Sequence, residues 1–184
     1  MTSVSLFTDV SLNPKSKCGV GAYLILPASF LDIPPHQIER SLVTDRLVTR
    51  TVENTTSTKF EVQTVLWALE AYRNECMFPR TAKLRVFSDS QCVAGLLKRR
   101  PVLETTGFIG RSSHRLLKNA KLYQTFYELH DELGFEVIKV AGHAPSKSHD
   151  TIHRIFSYVD KEVRKALRRV KGERELKHTD RDKM

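Results

Sequence analysis

Leu84-Arg85-Val86-Phe87-Ser88-Asp89-Ser90-Gln91-Cys92-Val93 reads as a short apolar strand that runs straight into a helix. An aspartate stands at the join. Side chains alternate along a strand, so Asp89 falls on the same sheet face as Phe87, where the apolar face ends. In open α/β sheets the reactive crevice lies at such carboxyl ends. An aspartate there can also serve simply as a turn former or helix N-cap. The same pattern occurs earlier, however: Phe7-Thr8-Asp9 ends another strand-like run. Two acids brought to one sheet edge from positions 80 residues apart need a reason to be there.

Working outward, residues 4–10 and 19–26 read as strands joined by a turn at Asn13-Pro14. Residues 27–37 form a proline-containing loop, and 42–52, with β-branched and polar residues mixed, fit a third strand. These three make an antiparallel meander. Residues 58–76 switch to helical period, with Val62, Val65, Leu66, Leu69, Tyr72 and Cys76 on one face. Strand 84–88 follows, then helices at 90–98 and 116–133 and a fifth strand at 135–141. Ile152, Ile155, Phe156, Val159, Val163, Ala166, Leu167 and Val170 mark a long last helix. Strands alternating with helices in the second half imply strands parallel to the first. Residues 1–171 are read as one domain, and the polar residues 172–184 as a flexible tail.

Two more acids lie in the helical runs, in Lys59-Phe60-Glu61 and Tyr158-Val159-Asp160. At 100° per residue Glu61 shares its stripe with Val65, Ala68 and Tyr72, so its carboxylate points towards the sheet. The last helix offers both Asp150 and Asp160. Asp160 sits at the edge of the apolar arc, and Asp150 almost opposite, beside Arg154 and Ser157. The two lie about 15 Å apart along one helix and cannot share a site. Asp160 is preferred; Asp150, the alternative, suits a helix start through the macrodipole. Gathered carboxylates repel one another and lose hydration, a cost offset mainly by a bound cation. His143, in a loop after the fifth strand, is a candidate proton carrier.

The bulk properties favour the same chemistry. The chain has 184 residues, 40% hydrophobic and 28% charged, which is globular composition. Lys plus Arg outnumber Asp plus Glu by 30 to 21, a net charge of +9 that attracts polyanions, nucleic acid above all. No apolar run reaches membrane-spanning length, so no membrane partner is expected. Cys18, Cys76 and Cys92 form no CxxC pair and no zinc-like spacing, and fit a reducing, cytoplasmic compartment.

Four motifs, in order, resemble the type 1 ribonuclease H family of the retroviral-integrase-like superfamily. Thr8-Asp9-Val10-Ser11 with Asn13-Pro14 resembles its first-strand Thr-Asp-Gly-Ser motif and turn. Residues 56–61 resemble the segment that brings the helix glutamate. Ser88-Asp89-Ser90-Gln91-Cys92-Val93 resembles its Asp-Ser-x-x-Val signature. Val140-Ala141-Gly142-His143-Ala144 resembles its Gly-His loop, with Val159-Asp160-Lys161 as the last acid.

The resemblance implies an α/β, RNase H-like fold: a five-stranded mixed sheet, order 3-2-1-4-5, flanked by helices. It implies an endonuclease that hydrolyses the RNA strand of RNA–DNA hybrids with two Mg²⁺ or Mn²⁺ ions, leaving 5′-phosphomonoesters. Asp9 would bridge the metals, Glu61 and Asp89 would hold one and Asp160 the other, and His143 would aid product release or proton transfer. Asn13, Ser57 and Gln91 match positions that touch the hybrid's minor groove, and Thr56 a phosphate anchor. Lys98, Arg99, Arg100, Arg111 and Arg115 lie where a basic protrusion, when present, grips the DNA strand. The chain departs from the family pattern at Val10 (usually Gly), at Ser57 (commonly Asn) and in the long gap from His143 to Asp160. The competing readings are an RNase H-fold nuclease acting on DNA, in the manner of a resolvase or transposase, and a non-catalytic nucleic-acid-binding module. A monomer is the expected state.

Overall fold

The computed structural model describes residues 3–74, 78–79, 81–141 and 150–181, with side chains described as far as Glu173. Five strands form one sheet in the order β3-β2-β1-β4-β5. β1 (Ser3–Asn13) pairs antiparallel with β2 (Cys18–Pro27), and β2 with β3 (Val48–Val52). β4 (Lys83–Ser88) lies parallel to β1, and β5 (Glu136–Lys139) parallel to β4. The sheet is the mixed five-stranded one that the sequence motifs imply.

Helices cover both faces. α2 (Ser57–Asn74), α3 (Gln91–Thr105) and α4 (Ala120–Leu133) pack on one, against Val4, Leu6, Leu84 and Val86. α1 (Arg40–Thr44) and α5 (Thr151–Arg181) pack on the other, against Phe7, Val20, Leu24 and Phe87. Leu6 and Phe7 are consecutive, both fully buried, and belong to opposite cores, as the two-residue period of a strand buried on both faces demands. Among the described residues, no helix is long and apolar enough to cross a membrane.

The third strand is shorter than the sequence suggests. Residues 40–44 form α1 instead, and only Val48–Val52 pair with β2. The β-branched Val43 turns inward to the Ile38–Val163 core and is fully buried, so tertiary burial overrides its strand preference. Residues 27–37 contain two 3₁₀ turns, Ala28–Asp32 and Pro35–Gln37. α3 runs past residue 98 to Thr105 with Pro101 inside it. α4 starts at Ala120 rather than 116, because exposed Leu116 pairs with Ile109 in an isolated bridge. The backbone of α5 stays helical through 172–181, where the sequence reading placed a tail.

Candidate active site

Phe7 and Phe87 are register partners on neighbouring parallel strands, and their rings stack at 4.8 Å between centroids. That pair is the last one between β1 and β4. Beyond it, β1 continues with β2 while β4 leaves the sheet for α3, and a cleft opens where they part. Asp9 and Asp89 each lie two residues past the stacked rings. A cleft of about 80 Å³ is lined by Thr8, Asp9, Val10, Glu61, Ser88 and Asp89. Three of the expected acids, from β1, α2 and the β4–α3 junction, therefore meet.

Glu61 is carried there by a close helix–sheet approach. Gly19 and Gly21 on β2 leave room for α2: a Cβ on Gly19 would lie 2.7 Å from the Phe60 ring, and one on Gly21 2.4 Å from Thr64 Oγ1. Val65, Ala68 and Tyr72, the stripe shared with Glu61, are buried. Two hydroxyls fix the carboxylate. Ser57 Oγ donates to Glu61 Oε1 at 3.0 Å and Ser90 Oγ to Oε2 at 2.5 Å. Ser90 is also the N-cap of α3, its Oγ accepting from the Val93 amide at 3.2 Å. One side chain thus ties the start of α3 to the α2 acid.

Asp9 is the electrostatic centre. It is 7% exposed, and its Oδ2 is buried with no hydrogen-bond partner. Its pKa is pushed up from 3.8 to about 7, first by burial and then by the charges of Asp89 and Asp160. A backbone hydrogen bond at Val10 and the Arg164 guanidinium oppose the rise. Asp160 is therefore near enough for Asp9 to feel it, although it does not line the cleft. Its Oδ1 accepts from Arg164 Nε at 2.8 Å, one helical turn on.

Asp150 is engaged elsewhere. It precedes α5 and accepts from the His153 amide at 2.8 Å, with His153 Nδ1 2.7 Å from the same oxygen. Burial works against its charge, but the His153 amide and ring hold its pKa below the usual value. This is N-cap geometry, as its position at the helix start predicts. His143 lies outside the described residues.

The expected substrate contacts divide. Asn13 Oδ1 accepts from the Lys15 amide at 3.0 Å, closing the turn after β1. Thr56 is exposed, and its carbonyl accepts from the Phe60 amide at 2.9 Å. Ser57 is occupied with Glu61, and Gln91 Oε1 accepts from Lys139 Nζ. Lys98, Arg111 and Arg115 are exposed. Arg99 lies over the Tyr123 ring and points a guanidinium nitrogen at Cys92 Sγ, 3.6 Å away. Arg100 binds Asp131 through both terminal nitrogens, at 2.5 and 2.7 Å, and Glu104 through Nε at 2.7 Å. Its guanidinium holds the Asp131 carboxyl below its ordinary pKa. Sequence reasoning had no contact from which to separate Arg100 from its neighbours. It also passed over Ser90, Arg164 and the Gly19/Gly21 pair, though glycines two apart in a strand are a readable sign of close backbone approach.

The donor set suits a hard divalent cation. It is oxygen-only, and it contains a buried carboxylate oxygen with no proton donor to satisfy it. Among the described residues, no three acidic, histidine or cysteine side chains stand close enough to enclose an ion in the arrangement seen here.

No curated protein matches the chain. Among solved structures, the foamy viral protease-reverse transcriptase in complex with dsDNA matches with a TM-score of 0.53. The match covers 84% of this chain and 90% of that one at 11% identity, a likeness of fold alone. The RNase H family model matches residues 1–167. The stacked strand pair, the cleft it opens and this match over nearly the whole sheet and its helices place the chain in the RNase H family, whose fold is that of a nuclease.

Proposed function

We propose that this protein is a metal-dependent endoribonuclease that hydrolyses the RNA strand of RNA–DNA hybrids by a two-metal-ion mechanism, leaving 5′-phosphate ends. The observation that carries the reading is Asp9: a buried carboxylate without a partner for Oδ2, raised in pKa by burial and by two other acids, at the mouth of a cleft. Such a group is costly unless a cation neutralises it.

Asp9, Glu61 and Asp89 would hold one Mg²⁺ or Mn²⁺, and Asp9 with Asp160 a second. The chemistry such ions supply when bound is activation of a water and stabilisation of the departing 3′ oxygen. The chain's own contribution is positional. Ser57 and Ser90 orient Glu61, the Phe7–Phe87 stack sets the spacing of the two strand-end aspartates, and Arg164 neutralises Asp160. His143 serves as proton carrier or aid to product release.

RNA specificity would rest on Asn13, Ser57 and Gln91 reading 2′-hydroxyls across the minor groove, with Thr56 anchoring a phosphate. Incubation with Mg²⁺ and 5′-labelled RNA–DNA hybrid, duplex DNA or duplex RNA tests the reading. Cleavage confined to the RNA of the hybrid is the expected result. Cleavage of duplex DNA would replace it with a DNA-directed nuclease, and binding of all three without cleavage would replace it with a non-catalytic module.

A further inference from the structure

The solvent face of α5 is a basic track that includes Arg164, whose charge reaches Asp9 in the acidic cleft. Between Thr151 and Val170 the helix carries six cations, Arg154, Lys161, Arg164, Lys165, Arg168 and Arg169, against two acids, Asp160 and Glu162. Both acids are already engaged, Asp160 by Arg164 and Glu162 by Arg40 from α1. Lys161, Arg164, Lys165 and Arg168 follow the i, i+3, i+4, i+7 spacing of one helix face. Ser157 and Arg154 continue that face towards the helix start. The opposite face, with Ile155, Val159 and Val163, is buried.

The exposed part of this basic face, from Lys161 to Arg168, is about 10 Å long, the axial length of about three nucleotide pairs, and half-buried Arg154 extends it towards the helix start. Tyr158 underlies that extension, with the Arg154 guanidinium 4.9 Å and Lys161 Nζ 5.8 Å from the ring centroid. On the β3 side, Lys165 and Arg169 border a cleft of about 170 Å³ shared with Thr44, Leu47, Thr49 and Glu162, whose carboxylate is paired with Arg40. Among the described residues, neither cation makes an ion pair.

From this we infer that the outer face of α5 is a second contact surface for the sugar–phosphate backbone, sequence-independent, holding the nucleic acid on the side of the cleft away from α3. The inference rests on the nucleic-acid reading of the site but not on hybrid specificity or on cleavage. Arg164 joins the two regions, since it touches Asp160 and still sits on the basic face. Local cations of this kind offset the repulsion between clustered carboxylates and an incoming phosphate chain. The segment at residues 97–121 is a weaker rival, because Arg100 is consumed by Asp131 and Glu104.

The test uses Lys161→Gln/Lys165→Gln/Arg168→Gln, which removes three charges while keeping helix formers. Its melting temperature is first matched to that of the parent protein. Binding of a fluorescent 20-base-pair hybrid and of duplex DNA of the same length is then followed by anisotropy across a salt series. Each lost phosphate contact lowers the slope of log K against log salt by about 0.7–0.9, so the expected fall is about 2 to 3. Affinity near 0.1 M salt should drop on the order of tenfold or more, equally for both duplexes. Unchanged slope and affinity for both would overturn the inference, as would loss of binding to anionic vesicles without loss of binding to either duplex. A parent protein that cleaves no hybrid, with the slope still falling in the variant, would remove the proposed reaction and leave this surface standing.

Discussion

The acidic cleft and the basic face of α5 are linked through Asp160 and Arg164, whose charges reach Asp9, yet they are built in opposite ways. The cleft draws its carboxylates from β1, α2 and the β4–α3 junction and buries the central one. The α5 face is local, exposed and repeats with the helix. Convergence from distant segments in a desolvated place makes each group matter, because charge there has no water to screen it. An exposed face spreads its effect over several replaceable cations and remains sensitive to salt. Substitutions on the two sides should therefore differ in kind as well as in size.

Asp160→Asn should lower hybrid cleavage by roughly 10²- to 10³-fold, as expected when a charged group stabilising the reacting centre is lost. Asp150→Asn, ten residues earlier, should leave turnover within about twofold, because Asn remains a good N-cap. Steady-state cleavage by the two variants checks both statements. The reverse ranking would remove Asp160 from the proposed cation-holding set.

Ser90→Ala comes next. Loss of its hydrogen bond to Glu61 should cost about 10- to 100-fold in activity, the usual scale for groups that orient ligands. The missing α3 cap should also lower stability by about 1 kcal/mol. Ser57→Ala removes the other Glu61 partner but no cap, so a fall in activity without that loss of stability is expected; chemical denaturation alongside the kinetics distinguishes the two.

A third effect is thermodynamic. A carboxyl with a folded pKa near 7 and an unfolded value of 3.8 binds its proton more tightly in the folded state. Its contribution favours folding at low pH and is lost as pH rises from about 4 to 7. With chelator present, the stability of the parent protein relative to Asp9→Asn should therefore fall across that window, by an amount on the order of a few kcal/mol. Parallel melting curves at pH 4 to 8 would measure it, and a difference independent of pH would contradict the burial of Asp9. A last substitution tests the route by which Glu61 arrives. Gly21→Ala puts a methyl group against Thr64 and should cost about 1–3 kcal/mol by overpacking. Activity should fall with it if α2 shifts, which unfolding and cleavage measured together will show.

How much of this was readable in the residues depends on the range of the force involved. Strand alternation is local, and it placed Asp9 and Asp89 on the faces of Phe7 and Phe87. Helical period is local too, and it turned Glu61 inward and set Asp160 apart from Asp150. The strand order followed from the family resemblance and the element order together. Failures came where a partner distant in sequence decides. Val43 forms helix because Ile38 and the α5 residues take it in, not because of its neighbours. Arg100 looks like any exposed cation until Asp131, 31 positions away, appears beside it. Ser90 looked like part of a motif, and only the approach of α2 makes it an anchor for Glu61.

The central claim, that a desolvated Asp9 is the cation-holding centre of a hybrid-cleaving site, is tested most directly by one comparison. The parent protein and Asp9→Asn are given the same 5′-labelled RNA–DNA hybrid and Mg²⁺, with hybrid binding measured alongside. Cleavage should fall by roughly 10³-fold or more while affinity changes by no more than about threefold. Undiminished turnover in Asp9→Asn would contradict it.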